Sequence, residues 1–302
     1  MIPISFESIA SLKPLFNDPK SQEQQLLKKY ADRRSRFVSI NGSMIHYREE
    51  GTGEPLILLH GAFSSLHTFE GWVKLLAQKY RVISIDLPGF GLTGAISEND
   101  YCFENYMNYL KVFLDRLEIK KCYLAGNSLG GWIAWEYALR HQKQIEKLVL
   151  ISSAGFVDEG SIPTPFKLAK LPVFGKIFKY ALQRTVFEKF VREVYCDQSL
   201  VCEETIDRYF DFFTRDCNME AFFNIINQEL HDNTEKLKKL YTPTLIIWGK
   251  EDAWLPAENA RRFSELLPNN RMLIYSGVGH IPMEEKPKKT AKAVDKFLQE
   301  DF

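Results

Sequence analysis

Hydrophobic positions along this chain follow two rhythms that alternate. Leu56-Ile-Leu-Leu59, Arg81-Val-Ile-Ser-Ile-Asp86, Cys122-Tyr-Leu-Ala125 and Leu148-Val-Leu-Ile-Ser152 are short apolar runs of the kind found in strands buried on both faces. Residues 71–79, 104–117 and 129–141 between them have helical spacing. Strands that alternate with helices predict a mostly parallel sheet with helices on both faces. Ahead of these runs, Phe37-Val-Ser-Ile-Asn-Gly-Ser-Met-Ile-His-Tyr47 reads as two strands around an Asn41-Gly42 turn.

The alternation stops between residues 156 and 240. Apolar residues at helical spacing take over there: Phe174, Ile177, Phe178 and Ala181, then Val186, Phe187, Phe190, Val191 and Val194. Tyr209, Phe212 and Phe213, and then Phe222, Phe223 and Ile226, continue the pattern, while Pro163, Pro165 and Pro172 punctuate its start. The expectation is an all-helical insertion of four or five short helices, a cap interrupting one α/β core. The rhythm resumes with the strand Pro243-Thr-Leu-Ile-Ile-Trp248, a helix over 257–267, the strand Arg271-Met-Leu-Ile-Tyr275 and a helix over 288–299. The organisation predicted is a helical leader (1–35), a core of about eight strands (36–155 and 241–302) and the insertion (156–240).

In the leader, Ile2, Phe6, Ile9, Leu12 and Phe16 fall near helical spacing. That suggests a short helix docked on the body, favoured over an interfacial membrane anchor. Ser21-Gln-Glu-Gln24 has capping-box spacing and opens a polar helix running towards Arg34. The segment lacks the cationic start and apolar core of a secretory signal, and no transmembrane segment is expected.

Composition narrows the field without naming a chemistry. The 302 residues carry 39 basic and 39 acidic side chains and are 45% hydrophobic. This excludes disordered and low-complexity chains and removes the electrostatic case for nucleic acid as the main partner. Cys102, Cys122, Cys196, Cys202 and Cys217 are odd in number and form no CxxC pair. Reduced thiols and a cytoplasmic location are therefore expected.

Gly126-Asn-Ser-Leu-Gly130 is a G-x-S-x-G motif that follows a predicted strand and opens a predicted helix. That placement fits a nucleophile elbow, in which a strained turn lifts Ser128 above the sheet at a helix N-terminus. A neutral serine needs a base, and the base needs an orienting acid. His280, in Gly277-Val-Gly-His-Ile just past a strand, reaches the same sheet edge. His67 is its nearest rival; His60 reads as structural, and His46, His141 and His231 lie on the hairpin, at a helix end and in the insertion. For the acid, Asp252 in Gly249-Lys-Glu-Asp252 is favoured over Asp86, which reads as shaping a turn, and over Asp158. The oxyanion hole would take backbone N–H groups from Leu129 and from Ala62 in His60-Gly61-Ala62-Phe63.

Leu58-Leu59-His60-Gly61, Asp86-Leu-Pro-Gly-Phe-Gly91, Gly126-Asn-Ser-Leu-Gly-Gly131, Trp248-Gly-Lys-Glu-Asp252 and Gly279-His280-Ile-Pro together resemble the α/β-hydrolase fold superfamily. The match runs in order from about Arg36 onwards. The resemblance implies a Ser128–Asp252–His280 triad, an oxyanion hole of Ala62 and Leu129, and a helical cap after the sixth strand. Superfamily members that use an aspartate nucleophile, the haloalkane dehalogenases and epoxide hydrolases, are disfavoured by Ser128. The expected activity is hydrolysis of small to medium hydrophobic carboxylic esters through an acyl-enzyme. A carbon–carbon bond hydrolase of ring-cleavage products, a lipase, a thioesterase or a perhydrolase would use the same triad, and a non-catalytic receptor on this scaffold is the more distant alternative. No metal cluster, Walker A loop or dinucleotide fingerprint is visible in the sequence, so no cofactor or metal is implied; Gly51-Thr-Gly53 precedes a strand and lacks the following helix that cradles phosphate.

Overall fold

The computed structural model describes residues 4–5, 22–158, 167 and 183–300. A two-residue strand, β1 (Ile4–Ser5), pairs antiparallel with β2 (Ser35–Ile40), which turns into β3 (Ser43–Glu50). Asn41 and Gly42 take φ of 49° and 80°, the left-handed pair that a two-residue hairpin needs. Ile4–Ser5 departs from the helix expected of the leader's apolar spacing: the open edge of β2 offers unpaired N–H and C=O groups that a short extended segment satisfies. Ile2, Phe6, Ile9, Leu12 and Phe16 lie outside the described residues.

The apolar runs become β4 (Pro55–Leu59), β5 (Arg81–Ile85), β6 (Cys122–Asn127), β7 (Ile145–Ile151), β8 (Thr244–Gly249) and β9 (Asn270–Tyr275). The sheet order is β1-β2-β3-β5-β4-β6-β7-β8-β9, antiparallel as far as β3/β5 and parallel from there on. Leu56, Ile57, Leu58 and Leu59 are wholly buried, as strands sandwiched between helices must be.

The α-helices bounded by described residues are α1 (Gln22–Tyr30), α2 (Glu70–Leu76), α3 (Phe103–Arg116), α4 (Leu129–Arg140), α5 (Arg184–Glu193), α6 (Glu203–Thr214), α7 (Asp216–Ile226), α8 (Glu258–Leu266), α9 (Pro282–Glu285) and α10 (Pro287–Gln299). Tyr106 and Phe113 of α3, Ile133 and Tyr137 of α4, and Phe263 of α8 join the core on one face of the sheet. Trp72 and Val73 of α2 and Val294 and Phe297 of α10 join the core on the other face. The connection from β7 to β8 holds α5, α6 and α7, with no strand among its described residues. Its aromatic positions pack largely on one another, Phe187 against Phe213 (5.1 Å between ring centroids) and Phe213 against Phe222 (5.5 Å). Phe174, Ile177, Phe178 and Ala181 lie outside the described residues.

The polar helix expected after Ser21 is α1, and it joins the insertion to the sheet. Leu26 is buried with Phe37, Leu92 and Phe212. Lys29 Nζ and Tyr30 Oη each donate to Asp211 at 2.7 Å, Glu23 pairs with Arg215, and Arg48 donates to the Tyr30 carbonyl at 2.8 Å. All five cysteines are free. Among the described residues no helix is long and apolar enough to cross a membrane.

Candidate active site

Between the end of β6 and the start of α4, Ser128 takes φ 53° and ψ −117°. A non-glycine residue held there costs on the order of 1–3 kcal/mol and persists only where the surroundings fix it. The Ser128 N–H donates to the Ile151 carbonyl at 3.0 Å, and the Ser128 carbonyl accepts from the N–H groups of Trp132 and Ala154, each at 3.0 Å. The flanking glycines permit the sharp turn. A Cβ on Gly126 would stand 2.2 Å from the Gly130 carbonyl oxygen, and one on Gly130 would stand 2.3 Å from that of Leu59. Leu129 is the first residue of α4, so its N–H belongs to the turn that has no intrahelical acceptor.

The loop after β4 runs directly against this elbow. A Cβ on Gly61 would lie 3.0 Å from the Ser128 Cβ, which brings the following residue, Ala62, beside the serine. His60 holds the loop from below: its Nε2 accepts from the Leu87 N–H (3.0 Å) and its Nδ1 lies 2.7 Å from the Gly61 carbonyl, which fixes the Nδ1–H tautomer. Full burial lowers the pKa of His60, in keeping with a neutral structural imidazole.

Asp252 and His280 meet on loops beyond β8 and β9. His280 Nδ1 lies 2.9 Å from Asp252 Oδ2, and both side chains are buried. Asp252 Oδ1 accepts from the N–H groups of Trp254 and Leu255, each at 2.9 Å. The carboxylate is thus fixed on both oxygens and can hold an Nδ1–H imidazole with Nε2 available as a base.

The other histidines are occupied elsewhere. His46 bridges Asp86 (2.7 Å) and Ser35 (2.9 Å). His67, the nearest rival, packs against Arg48 and the Tyr30 carbonyl, and burial with Arg48 beside it pushes its pKa down to about 3. His141 lies on Tyr137, and His231 is exposed after α7. Asp86 shapes its loops as expected, accepting from the N–H groups of Leu66 (2.7 Å) and Leu92 (2.8 Å). Burial works to raise its pKa, yet the bond from His46 and the neighbouring imidazoles hold it below the ordinary carboxylate range. Asp158 pairs with Arg262 at 2.7 Å.

Ala62, Asn127 and His280 line one pocket that opens to solvent. Its outer wall is a single face of α5 and its extension, with Phe187, Phe190, Val191 and Val194 at helical spacing, and Tyr209 and Trp254 complete it. No Lys, Arg, Asp or Glu is among its described lining residues, and no group of three or more metal-ligating side chains occurs among the described residues. Sequence reasoning missed one anchor here. Asn127 Nδ2 donates to the carbonyls of Ile151 (3.1 Å) and His280 (3.2 Å), tying the elbow to the histidine loop. Its place beside Ser128 was visible in the motif, but its long-range partner was not.

Residues 54–199 and 202–287 match the sequence profile of the alpha/beta hydrolase fold. An uncharacterized hydrolase of Bacillus subtilis, YugF, is 31% identical over 268 residues, covering 88% of this chain and 97% of its own. The 2-hydroxy-6-oxo-6-(2'-aminophenyl)hexa-2,4-dienoic acid hydrolase of Metapseudomonas resinovorans is 29% identical over 272 residues, covering 87% of this chain and 90% of its own. Among solved structures, a membrane phospholipase A described as a bacterial virulence factor aligns with a TM-score of 0.77 at 25% identity, over 97% of this chain and 94% of that one. The chain belongs to the α/β-hydrolase fold family.

Proposed function

We propose that the chain is a serine hydrolase that cleaves carboxylic esters bearing small to medium apolar acyl groups, with the helical insertion acting as a cap over the site. His280 Nε2 takes the Ser128 Oγ proton as the serine attacks the ester carbonyl. Asp252 holds the imidazolium that forms, and the Leu129 and Ala62 N–H groups stabilise the oxyanion. His280 then returns the proton to the departing alcohol. Water, activated by the same imidazole, releases the acid from the acyl-enzyme.

The observation that carries this reading is the apolar cavity lined by Ala62, His280 and Asn127, the residue that precedes Ser128. Among the described residues that line it none is cationic, which bears on the choice between the two activities named among the relatives. A dienoic acid substrate brings a carboxylate, and burying that charge without a partner costs several kcal/mol. Arg208, next to the lining residue Tyr209, is already paired with Glu284 at 2.9 Å, and the hydroxyls of Tyr195 and Tyr209 donate to the same carboxylate. A neutral ester fits this environment better.

The test is a rate series over p-nitrophenyl esters from acetate to palmitate. The expected outcome is a rise in kcat/KM with added methylenes up to a medium chain and a fall of about 10⁶ in kcat for Ser128→Ala. Turnover of a 2-hydroxy-6-oxo-dienoate with no ester hydrolysis would instead select the carbon–carbon hydrolase.

A further inference from the structure

His280 is held from a direction that neither the triad nor the oxyanion hole accounts for. Its backbone N–H donates to the carbonyl of Val194, at 2.8 Å, just beyond the end of α5. One residue earlier, the Gly279 N–H donates to Glu285 Oε1 at 2.5 Å. The other oxygen of the same carboxylate, Oε2, accepts from the N–H groups of Cys196 and Asp197, each at 2.9 Å. Glu285 is 4% exposed, and it therefore bridges two backbones with three charge-assisted hydrogen bonds. Burial raises its pKa, and the three amides oppose that rise. Gly279 has room for nothing more: a Cβ there would stand 2.6 Å from the Val194 carbonyl oxygen and 2.9 Å from the Cys196 nitrogen.

The segment gripped in this way is the end of the pocket wall. Val194 lines the cavity together with Phe187, Phe190 and Val191 of α5, and residues 194, 196 and 197 are the ones bonded to His280 and Glu285. We propose that Glu285 is a positioning residue that couples the acyl-binding wall of α5 to the catalytic base, so that the wall's placement sets the aim of His280. The proposal rests on the serine-hydrolase reading above. Its physical basis is that misplacing a reacting group by about 1 Å costs on the order of 10² in rate.

Glu285→Gln tests it, because a carboxamide keeps the size but has only one acceptor oxygen. It can satisfy either Gly279 or the Cys196–Asp197 pair, and its NH₂ group must face the other set of donors. The measurements are kcat and KM for p-nitrophenyl acetate and hexanoate, with the fraction of competent enzyme titrated by a fluorophosphonate. The expected result is a fall in kcat of about ten- to a hundredfold, less than threefold change in KM for acetate, and a kcat preference for hexanoate that collapses towards unity. An unchanged kcat, or a loss that merely tracks loss of folded protein, overturns the coupling.

Should Glu285→Gln fail to fold, the far side of the bridge can be cut instead. Asp197 has φ −88° and its side chain accepts from the Ser199 N–H; Asp197→Pro removes one donor to Glu285 and asks for a backbone shift of roughly 10° in φ to meet proline's ~−65 ± 15°. Asp197→Ala, which keeps that donor, is its control. A kcat severalfold lower for Asp197→Pro than for Asp197→Ala supports the bridge, and equal values overturn it. Wild-type protein inert to both esters and fluorophosphonate overturns the serine-hydrolase reading along with the bridge. An active wild type with an unaffected Glu285→Gln overturns the bridge alone.

Discussion

Asp252→Asn isolates what the carboxylate does for His280, because the surrounding bonds dictate how the amide must sit. Two N–H donors, from Trp254 and Leu255 at 2.9 Å, converge on Oδ1. In the variant these donors fix the carboxamide oxygen, which leaves the NH₂ group facing His280 Nδ1, 2.9 Å away in the native protein. An NH₂ donor there requires an unprotonated Nδ1, so the neutral imidazole carries its proton on Nε2 and cannot take one from Ser128. This wrong-tautomer effect is worth about 10⁴ in kcat, or ~5.4 kcal/mol at ~1.36 kcal/mol per tenfold. The fold should be little disturbed, since size and the two backbone bonds are kept. The assay is steady-state hydrolysis of a p-nitrophenyl ester at pH 7.5 alongside thermal unfolding of the same samples. A variant with near-native melting and activity within tenfold of wild type would refute the assignment of Asp252.

Gly130→Ala places a Cβ 2.3 Å from the Leu59 carbonyl oxygen and 2.5 Å from that of His60. Backbone must therefore move by about 1 Å at the elbow, lowering stability by about 1–3 kcal/mol and kcat by about 10²; denaturation and turnover of one preparation check both. Leu26→Ala should cost about 2–4 kcal/mol in urea denaturation, although Leu26 precedes the stretch that matches the family profile, because it is buried with Phe37, Leu92 and Phe212. An unchanged midpoint would mean that α1 contributes nothing to the cooperative unit. His67 has a folded-state pKa of about 3 against an ordinary 6.5, so the unfolded chain binds the extra proton between those values. Its contribution to stability is complete above about pH 6.5 and is lost as pH falls towards 3. His67→Gln, which can retain an acceptor towards Arg48, should show a flatter fall in denaturation midpoint from pH 7 to pH 4, and a slope equal to wild type would contradict this.

The sheet was legible because its strands are buried on both faces: runs such as Leu56–Leu59 can be apolar throughout only where helices cover each side. The hairpin was legible from Asn41-Gly42, whose left-handed conformations few other residue pairs adopt. Ser128, Asp252 and His280 could be placed on one edge because each follows a strand in a parallel sheet. What the sequence concealed was long-range polar bonding. Glu285 follows Pro282, whose ring suits the first turn of α9, but nothing local signals that its carboxylate grips the backbone of residues 196 and 197. Asn127 was hidden in the same way, since its partner lies 153 residues away. The strand at Ile4–Ser5 was not legible because helical spacing of apolar residues says nothing about an open sheet edge nearby. Likewise, the aromatic faces of the insertion showed that helices form there, while only three-dimensional packing separates Phe213, which packs on Phe187 and Phe222, from Phe190, which lines the cavity.

Activation of Ser128 by His280, next to the apolar pocket that Asn127 and His280 line, is the step on which the proposed function turns. Intact-mass measurement after exposure to an alkyl fluorophosphonate, followed by peptide mapping, tests it most directly. One phosphonyl group per chain is expected, carried on Ser128 and absent from Ser128→Ala. An unmodified wild-type chain, or a label on any other residue, would contradict it.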